Sequence, residues 1–176
     1  MGDCGRAVAG GFALIILAVD PGTATTGYGV VEKQGSRVAF VACGAILTDK
    51  AAAMPDRLLK IYSELNRLVD LHDPDVVVTE QLFFSNNQTT AIQVGRAAGV
   101  ALLVAGQRGL PWVEYRPMEV KMAVVGYGAA EKKQVQYMVK QLLGLAAIPK
   151  PDDAADALAI AVCHANSAHM QSLQGR

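Results

Sequence analysis

Cysteine is scarce and scattered in this chain: Cys4, Cys43 and Cys163 are odd in number and no two are close in sequence. That spacing argues against a disulfide framework and a CxxC zinc site, and the simplest expectation is a reducing cytoplasm. Long apolar runs are also missing. The longest near the start, residues 12–19, falls well short of the ~20 residues needed to cross a bilayer. With only Arg6 before it and no small-residue cleavage pattern after it, it is not expected to be a signal peptide. Net charge is absent too, because 16 basic residues balance 16 acidic ones. Net charge therefore announces no nucleic-acid partner, yet the balance hides a polarity. Residues 1–80 carry 7 Lys/Arg against 10 Asp/Glu, and residues 81–176 carry 9 against 6. A basic surface built by the second half stays available. No linker-like stretch, low-complexity segment or internal repeat divides the chain.

What is present is enough apolar material for one folded unit. The 176 residues are 52% hydrophobic with a mean hydropathy of +0.25, unlike a disordered chain. Residues 1–11, rich in Gly and Ala, are expected to be an unstructured extension, 12–168 a single domain, and 169–176 a tail. Phe12–Val19 is continuously apolar and stops at a Pro-Gly turn, as in a strand buried on both faces. Gly27–Glu32 and Arg37–Leu47 are strand-like and flank a turn at Gly35, which predicts an antiparallel meander. Leu58, Ile61, Tyr62, Leu65, Leu68 and Val69 follow helical spacing, and Pro74 ends that helix. A short strand then finishes at Glu80. Residues 88–106 read as an Ala- and Gly-rich helix, Trp112–Tyr115 as a strand, and Glu131–Leu143 as a helix capped by Gly144. A last helix starts near "DDAADALAIAV". The order β-β-β-α-β-α-β-α-α predicts an α/β fold with a mixed five-stranded sheet covered by helices on both faces.

The acids fall at element ends. Asp20 closes the first strand, Glu80 closes the strand after the first helix, and Asp153 and Asp156 open the last helix, three residues apart on one face. Ligands of open α/β sheets gather beyond the carboxyl ends of the strands. Four carboxylates from three distant segments could therefore converge, and Mg²⁺, which takes hard oxygen ligands, suits such a cluster. A two-ion site of this kind supports phosphodiester cleavage. Taken singly, each acid also has an ordinary structural reading. Asp20 opens a turn, Glu80 begins a loop, Asp153 caps a helix and Asp156 favours its dipole. Spacing does not choose between Asp152 and Asp153, since Asp152 and Asp156 also share a helical face.

Four ordered stretches, "LAVDPGTATTGYGVVE", "VVVTEQLFFSNNQTTAIQVGRAAGVALLVA", "EYRPMEVKMAVVGYGAAEKKQVQYMV" and "DDAADALAIAVCHA", together resemble the RuvC family of bacterial Holliday junction resolvases, over about Ile15 to Ala165. The resemblance implies a ribonuclease H-like fold, a homodimer, and Mg²⁺-dependent nicking of two strands of a four-way DNA junction. Mg²⁺ is expected as a pair of ions in each site, with Mn²⁺ a plausible substitute. It also implies a catalytic, metal-binding tetrad of Asp20, Glu80, Asp153 and Asp156, in a register that selects Asp153 over Asp152. Phe83 resembles an aromatic that family members insert at the junction, where a base can stack on it; its ordinary reading is a core phenylalanine. Lys121 and Lys132 match basic residues used near the DNA backbone, while Lys133 reads as an exposed helix lysine. The RuvA–RuvB branch-migration complex is implied as a partner, and helix 88–106 as part of the dimer contact. Gly126 and Gly128 could let backbone amides approach a phosphate, although a plain loop fits them as well. His164 and His169 are expected to be structural or exposed.

Two rival readings remain at this stage. One is an actin-like or sugar-kinase ATPase, because "DPGTATTGYGVV" also resembles a phosphate-binding hairpin, but the chain is short for two such domains. The other is a non-catalytic nucleic-acid-binding module of the same fold, which would be expected to have lost one or more of the acids.

Overall fold

The computed structural model describes residues 6–8, 11–81 and 88–174. Strand β2 (Gly11–Asp20) is the centre of the sheet, antiparallel to β3 (Thr25–Gln34) on one side and parallel to β5 (Val76–Glu80) on the other. Strand β4 (Arg37–Leu47) pairs outside β3, and β6 (Trp112–Tyr115) pairs parallel outside β5. The path β4-β3-β2-β5-β6 is the mixed five-stranded sheet expected from the sequence. A further short strand, β1 (Arg6–Val8), pairs antiparallel with the start of β2. It lies in the stretch expected to be unstructured, where Ala7 and Val8 are apolar. The backbone of β2 is thus in a ladder from its first residue.

β2 is apolar up to its last residue, Asp20, because both its faces are covered. Ile16 and Ala18 belong to one core, and Leu17 and Val19 to a second on the opposite face. Helices α1 (Met54–His72) and α2 (Gln88–Gln107) build the second core. In α1 the buried Ile61, Leu65, Leu68 and Val69 follow helical spacing, and Asp73, in the left-handed region at φ 46°, ends the helix. Helices α3 (Pro117–Val125), α4 (Lys132–Leu142) and α5 (Asp152–Gln174) cover the first core. α5 runs to Gln174, into the segment expected to be a tail.

Helix α3 was not expected from the sequence. Its apolar spacing is obscured because the exposed Met118 and Met122 break the stripe made by the buried Val120 and Val124. The local signals were nonetheless present. Pro117 occupies the first turn, the Glu119 carboxylate accepts the Arg116 N–H at 2.7 Å, and Gly126 closes the helix at φ 80°.

α5 lies unusually close to the sheet. A Cβ built on Gly29 would stand 2.8 Å from the Leu158 backbone nitrogen, and one built on Gly27 would collide with the Asp153 carbonyl. Ala154, Ala155, Ala157, Ala159, Ala161 and Ala165 are all buried along the same helix, so small residues on both partners permit the approach.

Candidate active site

Side chains alternate along a strand. Asp20 therefore points to the same side as Ile16 and Ala18, and Glu80 to the same side as Val76 and Val78, the side covered by α5. Val19 pairs with Thr79 in the parallel ladder, which leaves the two acids side by side where their strands end. Asp20 is also the cross-strand partner of Gly27, over which the Asp153 carbonyl sits. The first turn of α5 is thereby brought down beside Asp20.

An open cleft of about 220 Å³ lies between these strand ends and the three helices. Asp20, Glu80 and Asp156 line it together with Lys121 from α3 and Lys132 from α4. Pro117, Val120, Val135, Ala159 and Ile160 supply apolar wall, which sequence reasoning did not single out. Asp153 is half-buried beside the cleft rather than on its wall. Phe83 lies outside the described residues.

Crowding governs the electrostatics. Burial, followed by the charges of Asp156, Asp153 and Glu80, pushes the Asp20 carboxyl up from 3.8 to about 7, against the opposing pull of Lys132. Glu80 is raised by burial and by Asp156, with Lys121 acting in the other direction. Asp156 is raised by burial even though Lys132 opposes the shift. The Lys132 ammonium is 2.8 Å from Asp156 Oδ2 and 3.7 Å from Asp152 Oδ2, and the bond to Asp156 is the main reason its own pKa is raised. Asp153 acts on Asp20, whereas Asp152 is absent from the charges acting there and its side chain is 67% exposed.

Oxygen donors crowded until they repel one another form a set suited to a hard divalent cation. Asp20, Glu80 and Asp156, with Asp153 beside them, could hold one. As they stand, no group of three His, Cys, Asp or Glu side chains among the described residues is gathered to enclose an ion, and a lysine takes Asp156 instead.

The loop after Asp20 is tied down on its far side. Thr48 Oγ1 donates to the Thr23 carbonyl and accepts from Arg57 Nε at 2.9 Å, and Thr26 Oγ1 donates to the Gly22 carbonyl at 2.7 Å. The Thr-rich stretch after "DPG" was the available signal for this. Lys133 is exposed, as expected. His164 is structural: its Nδ1 lies 2.8 Å from the Tyr115 hydroxyl, and burial lowers its pKa. The Gly126 N–H is bonded to the Met122 carbonyl as a helix cap, so it is not free to cradle a phosphate.

The family model for the crossover junction endodeoxyribonuclease RuvC matches residues 16–164. The chain belongs to the RuvC family. It is 52% identical to the RuvC of Desulfitobacterium hafniense (strain DSM 10664 / DCB-2) over 162 residues, 92% of this chain and 98% of that relative. It is 53% identical to the RuvC of Alkaliphilus metalliredigens over 160 residues, 91% of this chain and 98% of the other. A structure of T. thermophilus RuvC in complex with a Holliday junction substrate superposes with a TM-score of 0.85 at 34% identity, covering 90% of this chain and 96% of that one. The yeast mitochondrial Holliday junction resolvase Ydc2 shares the fold, with a TM-score of 0.64 at 13% identity over 91% of this chain and 83% of its own. The ribonuclease H-like sheet expected from the sequence is the RuvC fold, and the chain is a nuclease of that family.

Proposed function

We propose that the protein resolves four-way DNA junctions by paired, Mg²⁺-dependent nicking of two strands. The observation that carries this reading is the convergence of carboxylates from β2, β5 and α5 on one cleft that also holds Lys121 and Lys132. Asp20, Glu80, Asp153 and Asp156 would hold two Mg²⁺ ions, with Mn²⁺ an acceptable substitute. Ions held there supply Lewis acidity toward the scissile phosphate and the leaving oxygen. The chain's own cations act alongside. Lys121 and Lys132 bind backbone phosphates, and Lys132 leaves Asp156 to do so.

Cutting two strands symmetrically calls for two clefts, which supports a homodimer. The outer face of α2 fits that role. Ile92, Leu102 and Leu103 are exposed, and Gly99 and Gly106 have open space where a side chain would stand. Glycine weakens a helix interior unless close packing uses the gap. The RuvA–RuvB complex as a partner rests on family resemblance. A cytoplasmic location follows from a chromosomal substrate, and among the described residues no helix is long and apolar enough to cross a membrane. An ATPase fragment is disfavoured because the chain spans 98% of a whole RuvC relative.

Incubation with a synthetic four-way junction and a linear duplex, with and without Mg²⁺, tests the reading. Symmetric nicks in the junction only, and only with metal, are expected. Equal cleavage of the duplex, or cleavage that ignores metal chelation, would overturn it.

A further inference from the structure

Helix α3 presents two adjacent stripes. Pro117 and Lys121, four apart, face the cleft. One step around the helix, Met118 and Met122 form a second such pair, 59% and 52% exposed. The turn after α3 carries Tyr127, which is 62% exposed. Its position is fixed by backbone: Gly126 adopts φ 80° and the Ala130 N–H donates to the Tyr127 carbonyl at 3.1 Å. Gly128 then lies directly against the methionines, since a Cβ there would stand 2.8 Å from Met118 Cγ and 3.6 Å from Met122 Cγ. Two polarisable thioethers and, on the turn that packs against them through Gly128, an aromatic ring are thus exposed beside the cleft.

Folding does not require these side chains to be exposed together, and exposed apolar patches mark binding surfaces. The charges beside this one indicate which kind. Lys121 stands on the neighbouring stripe, and Lys132 opens the helix that follows the turn. The acid on α3, Glu119, is already bonded to Arg116 at 3.1 Å. Cations beside an apolar, partly aromatic face suit a strand whose phosphates are held while an unpaired base stacks.

We propose that Met118, Met122 and Tyr127 form a platform on which an unpaired nucleobase of the DNA substrate stacks, next to the phosphate held by Lys121. The proposal rests on the reading of the cleft as a junction nuclease site and adds a base-contacting surface outside the carboxylate cluster.

The test places 2-aminopurine in turn at each nucleotide around the crossover of a four-way junction and measures its fluorescence on binding without divalent metal. At one or more positions the wild type should quench the probe. Tyr127→Ala should leave it bright and weaken junction affinity about tenfold or more, the range found for loss of base–aromatic stacking. Tyr127→Phe and Tyr127→Trp should retain both properties, and Met122→Ala should show an intermediate loss. Affinity for a linear duplex, which offers no unpaired base, should not change. Thermal melts check that the variants fold. Quenching and affinity unchanged in Tyr127→Ala, or an equal loss on linear duplex, would overturn the platform, including in favour of a docking surface for another protein. If wild type nicks the junction in that case, the nuclease reading stands without the platform. If wild type neither binds nor nicks it, both fail.

Discussion

Lys132 and Asp156 form an ion pair, 2.8 Å from nitrogen to oxygen, on the wall of the carboxylate cleft. The side chains are 54% and 30% exposed, so the pair is screened and can open. It keeps the Lys132 ammonium on the cleft wall that Asp20, Glu80 and Asp156 also line.

Lys132→Ala should therefore affect chemistry more than binding. Losing one phosphate contact should reduce the slope of log affinity against log salt by about one. Junctions of different sequence should lose affinity alike, because a phosphate contact carries no base information. Single-turnover nicking at saturating protein should fall further than affinity, as expected for a contact that strengthens in the transition state. Lys121→Ala should show the same salt effect. Salt titrations paired with single-turnover timing check both variants.

Asp20→Asn should abolish nicking, by at least about a hundredfold, while junction binding is kept or improved. On the proposed reading the change removes a metal ligand and a negative charge from a site that receives phosphate. Gel-shift affinity and timed nicking in Mg²⁺ measure the two effects separately; cleavage within tenfold of wild type would exclude Asp20 from the site.

The same variant has a signature in metal-free stability. The folded-state pKa of Asp20 is raised from 3.8 to about 7, so protonated Asp20 is the form that folding favours. The associated stability is fully present below pH ~4 and is lost as pH rises through ~7. Asn cannot ionise and avoids that loss. The stability of Asp20→Asn relative to wild type should thus increase by up to ~4 kcal/mol between pH 4 and pH 8. Urea melts in chelator across that range should show the gap widening. A constant gap would mean that Asp20 titrates as an ordinary carboxyl.

Asp153→Asn should damage nicking far more than Asp152→Asn. Asp153 acts on Asp20, whereas Asp152 is mostly exposed, lies 3.7 Å from Lys132 and does not figure among the charges on Asp20. Asp152→Asn is expected to stay within a few-fold of wild type. Nicking rates and melting temperatures for both variants make the comparison, because a weakened first helical turn can itself cost ~1 kcal/mol.

Leu103→Glu should disrupt self-association. Leu103 is 53% exposed on α2, four residues beyond Gly99, on the face left open by glycine. Sedimentation should show wild-type dimers and monomeric Leu103→Glu, which should nick single strands without the paired second cut. A monomeric wild type, or a dimeric variant, would place the contact elsewhere.

Much of the site was legible because strand ends and helix starts are marked by chemistry. Asp20 and Glu80 terminate apolar strands, and counting by twos from Ile16 and Val76 places both on the α5 side of the sheet. The choice of Asp153 over Asp152 was not legible from spacing, because helical geometry allows either to pair with Asp156. Which of the two lies over Gly27 and acts on Asp20 depends on where β3 supports the helix, which is a tertiary contact. Helix α3 was missed because its outward methionines disguise its period, and Lys121 was consequently assigned without the element that carries it. The Lys132–Asp156 pair joins residues 24 apart in sequence on different helices, and no local pattern encodes that.

Gly27 deserves its place beside the acids in any account of how this site is dimensioned. It pairs with Asp20 in the sheet and meets the backbone of Asp153 with no side chain between. The separation between the strand carboxylates and the helix carboxylates is thus gauged by two main chains in contact. A methyl group at residue 27 would act as a spacer, lifting the start of the helix and carrying Asp153 and Asp156 away together. Every acid would still be in the sequence, yet the strand and helix carboxylates would no longer meet at one cleft. Inactivating changes in this protein need not touch an acidic residue, because part of the site's calibration resides in an atom that the chain omits.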